Sequence, residues 1–278
     1  MNSMQLKYKI KNIAKDKNVD FNTLLRLYMY DRFLERLSLS KYKDNFILKG
    51  GFYLSTLFGV ENRNTMDIDA AFRNADFTED NIVKMIKTII SIDVKDNAKL
   101  TYSGISSIRD EDEYGGYRID LIVQIDNIKE KFHVDIATGD PITPKAITYN
   151  YKPILEDRFI NLWAYNIETI LAEKLETILN RLELNGRMRD YYDIYLICTR
   201  DKGLINKRNL RLAIDKTFKK REYNGDINKS LEIIKDSYIL KERWNIYAKK
   251  NIYAKDIAYK EIIMSINELI SVINTVLI

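Results

Sequence analysis

Cysteine and histidine are nearly absent from this chain of 278 residues, which has one of each, Cys198 and His133. A single cysteine forms no internal disulfide, and a single histidine excludes every zinc or catalytic motif that needs two. Proline is scarce, with three residues, and ten glycines are too few for long flexible linkers. No apolar run reaches the length of a membrane span, and the opening MNSMQLKYKIKNIAKDKN lacks the apolar centre of a signal peptide, so the expected location is the cytoplasm. Charge of one sign is also modest: +5 overall, with a pI near 8.9, too mild to indicate a nucleic-acid partner by itself. A P-loop G-x-x-x-x-G-K-[ST] and the H-R-D and D-F-G pair of protein kinases are missing, which argues against γ-phosphoryl transfer. What remains is a 46% hydrophobic, tyrosine-rich chain, folded and helix-rich, whose chemistry has to rest on carboxylates.

The spacing of Leu24, Leu27, Tyr28, Phe33, Leu34 and Leu37 predicts an amphipathic helix from Asp20 onward. FILKGGFYLSTLFG, Phe46 to Gly59, reads as a strand, a tight turn at Gly50 and Gly51, and a short helix ended by glycine. Further strands are predicted in MDIDAAF from Met66, KLTYSGISSI from Lys99, YRIDLIV from Tyr117 and KFHVDIAT from Lys131, with a helix around Asp80 to Ile90. GDPITPKAITYNYKP holds all three prolines and reads as a turn-rich connection into a long helical region. The expectation is an α+β fold: a mixed sheet flanked by helices over residues 1–160, then a mostly helical domain over 161–278. Between Lys202 and Arg221 eight basic residues stand against one acidic residue, which suits either a solvated helix or an RNA-backbone contact.

In NRNTMDIDAAF, one apolar residue separates Asp67 from Asp69, and in a strand that spacing turns both carboxylates to one face while Ile68 points into the core. Two like charges held so close repel each other, a conflict that a divalent cation relieves. Upstream, the side-chain-free Gly50 and Gly51 let backbone N–H groups approach a phosphate at the start of the following helix. A two-metal phosphoryl-transfer centre needs a further carboxylate on an adjacent strand. Asp135 in HVDI is the preferred candidate and Asp120 in YRIDLIV its competitor. Either is also compatible with a structural aspartate satisfied by local donors.

Tyr165 to Ile197 reads as two helices around a turn at Gly186, with Asn166 as N-cap of the first. Its apolar stripe of Ile167, Ile170, Leu171, Leu175 and Ile178 contains Lys174 and borders Arg181, so both cations are directed toward the protein body. Asp190 and Asp193 lie one helical turn apart on a common face, where ion pairs with Arg187 or Arg189 are the simplest role.

The succession of LKGG, Leu54, Gly59 and Arg63-x-Thr65-x-Asp67-Ile68-Asp69, preceded by FLERLSLSKYKDNF, resembles the AbiEii-type toxins of type IV toxin–antitoxin systems, in the DNA polymerase β-like nucleotidyltransferase superfamily. The likeness runs through about Ile197, with Ala70 a mild departure after the second aspartate. It implies a toxin that transfers a nucleoside monophosphate from an NTP to an RNA acceptor, tRNA above all, with a cognate antitoxin as partner and growth inhibition or phage defence as the consequence. It further implies Asp67, Asp69 and Asp135 as ligands of two magnesium ions, manganese being an alternative. Lys49, Gly50, Gly51, Arg63, Thr65 and Arg181 are then nucleotide-binding residues, and Lys174 with Asp190 or Asp193 completes the active site. A phosphotransferase toxin and a catalytically silent nucleotide- or RNA-binding module are the competing readings.

Overall fold

The computed structural model describes residues 1–65, 67–108, 115–200 and 202–274. The chain divides into two compact units, Met1–Gly139 with Ala146–Tyr165, and Asp140–Lys145 with Asn166–Ile278.

In the first unit, α1 (Ser3–Lys17) begins at a capping box: the Asn2 side chain accepts from the Gln5 N–H while the Gln5 side chain accepts from the Asn2 N–H. Asp20 caps α2 (Phe21–Leu39) by accepting from the Thr23 N–H at 2.9 Å. All six residues of the expected α2 stripe are buried, each such side chain stabilising the fold by about 1.5–3 kcal/mol. The remaining elements are β1 (Phe46–Leu48), α3 (Gly50–Phe58), β2 (Ile68–Phe72), α4 (Glu79–Ile90), β3 (Lys99–Ile108), β4 (Gly116–Ile125), β5 (Ile128–Ala137), β6 (Ile147–Tyr151) and β7 (Ile160–Ala164).

The seven strands form one mixed sheet in the order β3-β4-β5-β2-β1-β7-β6. β2 runs parallel to β5 and β1 parallel to β7; every other neighbour is antiparallel. Along β5, Phe132, Val134 and Ile136 are buried, Phe132 meeting the rings of Tyr30 and Phe33 from α2 at 5.2 and 6.1 Å. The alternate residues Lys129, Lys131, His133 and Asp135 keep solvent access on the other face. β4 and β5 are joined by the two residues Asp126 and Asn127, Asp126 taking a positive φ of 49°, which fixes their register over ten cross-strand pairs.

Two strands lie where the sequence suggested only a connection. β6 is a short edge strand with alternating exposed and partly buried residues and a proline two residues beyond its end, so neither an apolar run nor a clean boundary announces it. A second departure concerns α2, whose ionisable residues Asp31, Arg32, Glu35 and Arg36 are buried. Their partners come from the segments before β3 and before β7: Arg36 grips Asp96 with two bonds of 2.8 Å, Arg32 pairs with Glu156 and, within α2, with Glu35 at 3.2 Å, and Arg158 pairs with Glu35. Periodicity does not foresee such a layer, because the partners come from sequence far away.

The second unit is helical: α5 (Ile167–Arg181), α6 (Met188–Arg200), α7 (Lys207–Lys220), α8 (Ile227–Asp236), α9 (Tyr238–Lys250) and α10 (Tyr259–Asn274). Side-chain caps at Asn166, Asn206, Asp226 and Ser237 start four of them. α7 lies along α5 and α10 along α6, over a core that includes the fully buried Trp244. The basic stretch resolves into a helix with Leu210, Ala213, Ile214 and Thr217 buried and an Arg221 that is structural. Arg221 is mostly buried and bonds Asp140 and Glu176, which ties the segment at 140–145 to α5. No helix among the described residues is long and apolar enough to cross a membrane.

Candidate active site

The site in the first unit starts from strand pairing. β1 and β2 are antiparallel with Leu48 opposite Ala70, and the Lys49 N–H donates to the Asp69 carbonyl at 2.8 Å. The chain leaves β1 beside Asp69 and enters α3 at once, so the first turn of that helix starts against the Asp69 side chain. Lys49 occupies the N-cap with extended backbone and no side-chain cap bond; helix-start N–H groups lack intrahelical acceptors.

Gly51 is where the helix and the carboxylate meet. A Cβ there would stand 3.0 Å from Asp69 Oδ2, 3.5 Å from Thr65 Oγ1 and 3.6 Å from an Arg63 Nη atom. Only a residue without a side chain permits this approach. Arg63 is 1% exposed and donates from Nη1 to the Asn64 carbonyl at 2.6 Å, while Thr65 Oγ1 donates to the Asp67 carbonyl at 3.2 Å. These bonds hold the segment before β2 folded under the α3 start. Ile68 is 1% exposed, and Asp67 and Asp69 on either side of it are half-buried.

Charge around Asp69 is unbalanced toward the negative. Burial raises its carboxyl above the ordinary range, Asp135 raises it further and Asp67 adds to this, while Lys49 and Arg63 pull it down. Six residues expected from sequence to act together, Lys49, Gly51, Arg63, Thr65, Asp67 and Asp69, are therefore clustered, and Asp135 adjoins them. Its place follows from register: Asp69 is directly opposite Asp135 in the parallel β2–β5 pair. Asp120 lies one strand farther, opposite His133, and its Oδ1 is 2.5 Å from His133 Nδ1.

Asp135 is not a free carboxylate. Arg118, opposite it on β4, donates from Nε to Oδ1 at 2.8 Å and from Nη2 to Oδ2 at 2.6 Å. Among the described residues, no three His, Cys, Asp or Glu side chains are grouped to hold a metal ion. The residues present fit a hard divalent cation with Asp67 and Asp69 as its protein ligands. They are acceptor-only oxygens whose repulsion such an ion relieves, and magnesium commonly takes one or two carboxylates with phosphate oxygens completing its shell. Asp135 could join them only through oxygens that already accept from Arg118, whose positive charge opposes a cation there. Arg118 was missed from sequence, yet its signal exists: once Asp126 and Asn127 are taken as the hairpin turn, residue 118 falls opposite 135.

In the second unit, Lys174 Nζ lies 2.6 Å from Asp190 Oδ1 and 2.8 Å from Asp193 Oδ2. Arg187 Nε meets the other Asp190 oxygen at 3.0 Å. Asn166 caps α5 and one-turn spacing on α6 aligns the two aspartates, so both carboxylates converge on one ammonium. Asp193 is fully buried and the Lys174 side chain 13% exposed. The choice between Asp190 and Asp193 has no single answer, since both hold Lys174. Arg181, at the end of α5, is half-buried.

A sequence profile described as "Nucleotidyl transferase AbiEii toxin, Type IV TA system" matches residues 32–264. Two solved structures are similar in fold. JHP933 from Helicobacter pylori is 16% identical with a TM-score of 0.53, covering 91% of this chain and 91% of its own. A second protein from Helicobacter pylori, described as a candidate nucleotidyltransferase, is 15% identical with a TM-score of 0.54, covering 92% of this chain and 96% of its own. No curated protein sequence matches the chain.

Proposed function

The chain belongs to the AbiEii family of nucleotidyl transferase toxins of type IV toxin–antitoxin systems, and from that premise we propose that it transfers a nucleoside monophosphate from an NTP to a hydroxyl of an RNA acceptor, tRNA above all. The observation that carries this reading is the contact at Gly51, which sets the N–H groups of a helix start against a carboxylate. An anion site and a cation site thus adjoin, as a triphosphate with its divalent ion requires.

In this reading the α3 start, with Lys49 and Thr65, binds the triphosphate and fixes the direction of its phosphorus chain, and the buried Arg63 adds positive charge without direct contact. Asp67 and Asp69 would hold magnesium or manganese, and the bound ion would supply positive charge against the phosphates. The acceptor oxygen bonds to the α-phosphorus as the bond to the bridging oxygen of pyrophosphate breaks, and the hydroxyl proton passes to solvent water. No electron donor or acceptor is needed. Family resemblance gives Lys174 the task of neutralising charge on the leaving pyrophosphate. Asp190 and Asp193 act on Lys174, holding its ammonium between them and orienting it. Arg181 is a further phosphate contact in this reading. Membership of a toxin–antitoxin family implies an antitoxin partner, and the consequence of unchecked transfer is arrested growth or failed phage propagation.

The deciding experiment incubates the purified protein with total tRNA, magnesium and each NTP in turn, labelled at the α or the γ phosphate. Nucleotidyl transfer labels RNA from α-label alone. Labelling from γ-label alone assigns a phosphotransferase, and no labelling together with unchanged toxicity of Asp67→Ala and Asp69→Ala assigns a silent binding module.

A further inference from the structure

β2, β5, β4 and β3 present one continuous row across the sheet: Asp69, Asp135, Arg118 and Ser106 are successive cross-strand partners. A row of this kind places side chains about 5 Å apart on one face. Two carboxylates and a guanidinium therefore stand in line, and the guanidinium engages the second carboxylate through both oxygens. This is the fork geometry that arginine reaches and lysine does not.

The Asp135 side chain is 17% exposed and that of Arg118 42%. The pair is thus anchored on the carboxylate side and open on the guanidinium side. Asp135, Asp67 and Asp120 all stabilise the Arg118 charge, so this cation sits in the combined field of the carboxylates that would attract a metal. A second divalent ion at Asp135 would have to share oxygens that already accept two charge-assisted bonds and stand beside a guanidinium whose like charge repels it.

We infer that Arg118 is a fixed cation seated on Asp135, so that this site takes one divalent ion, at Asp67 and Asp69, where three free carboxylates would take two. The inference rests on the reading of Asp67 and Asp69 as cation ligands. Arg118 then supplies permanently, through the fold, part of the positive charge that a second ion would bring at each turnover. Asp135 becomes a positioning residue for Arg118 instead of a ligand.

The test is a titration of the purified full chain with Mn2+ alone, free ion being followed by electron paramagnetic resonance, with thermal melts alongside. Wild type is expected to bind one ion per chain and Asp67→Asn none. Arg118→Met, which frees Asp135, is expected to bind two, and Arg118→Met combined with Asp135→Asn returns to one. Arg118→Lys keeps a positive charge against Asp135 and stays at one. Two ions bound by wild type overturn the inference without need of any variant, and so does an Arg118→Met count equal to wild type. If neither binds Mn2+, the cation reading of Asp67 and Asp69 falls too; one ion in both overturns the Arg118 inference alone.

Discussion

Replacing Gly51 by alanine separates the site's geometry from the stability of the helix that carries it. The added methyl group would lie 3.0 Å from Asp69 Oδ2, with Thr65 Oγ1 and Arg63 next at 3.5 and 3.6 Å. Ordinary contact needs about 3.5 Å or more, so the Asp69 carboxylate has to retreat by about half an ångström. A misplacement of about 1 Å at a reacting centre costs on the order of 100-fold. Half of that, scaled in the logarithm, is about tenfold, or about 1.4 kcal/mol of barrier. Stability moves differently: alanine in a helix is favoured over glycine by up to about 1 kcal/mol, which offsets the crowding. The expected result is a roughly tenfold slower transfer of α-label in single turnover, with the urea midpoint little changed. Gly186→Ala is the control, because a Cβ there meets nothing within 4 Å, and its rate should equal wild type. Full activity in Gly51→Ala would refute the claim that Asp69 works from against the α3 start. A large loss of stability would refute the separation of the two effects.

Lys174→Met withdraws the ammonium from two carboxylates that are 7% and 0% exposed, and should cost about 3–5 kcal/mol in urea unfolding. Combined with Asp193→Asn it should cost less than the two single changes summed, whereas a loss below about 1 kcal/mol would show a solvated lysine. For Asp31 the expected effect is a pH slope. Burial pushes its carboxyl up to about 7 despite hydrogen bonds from Tyr151 and the Ile154 N–H. Between about pH 4 and 7 the folded form then holds a proton that the unfolded chain has released. This contribution to stability is complete below about pH 4 and lost as pH rises to 7, on the order of 4 kcal/mol at most. Unfolding curves of wild type should converge with or fall below those of Asp31→Asn across that window; parallel curves would sink the argument.

The sequence alone determined what acts through local spacing. Alternation put Asp67 and Asp69 astride a buried Ile68, and the six apolar residues of α2 declared a helix by their period. The Gly-Gly pair marked the end of β1, although it opens α3 directly where a turn was expected, and the fold class followed from the succession of such segments. The tertiary structure decided everything that depends on which strands become neighbours. Parallel pairing of β2 with β5 set Asp135, not Asp120, beside Asp69, and antiparallel pairing of β4 with β5 set Arg118 on Asp135. The same holds for Lys174 between Asp190 and Asp193, and for the buried charges of α2, whose partners Asp96, Glu156 and Arg158 are distant in sequence. A side chain's face is fixed by backbone period within a few residues. Its partner is fixed by register and packing across the whole unit, as the guanidinium of Arg118 on Asp135 shows.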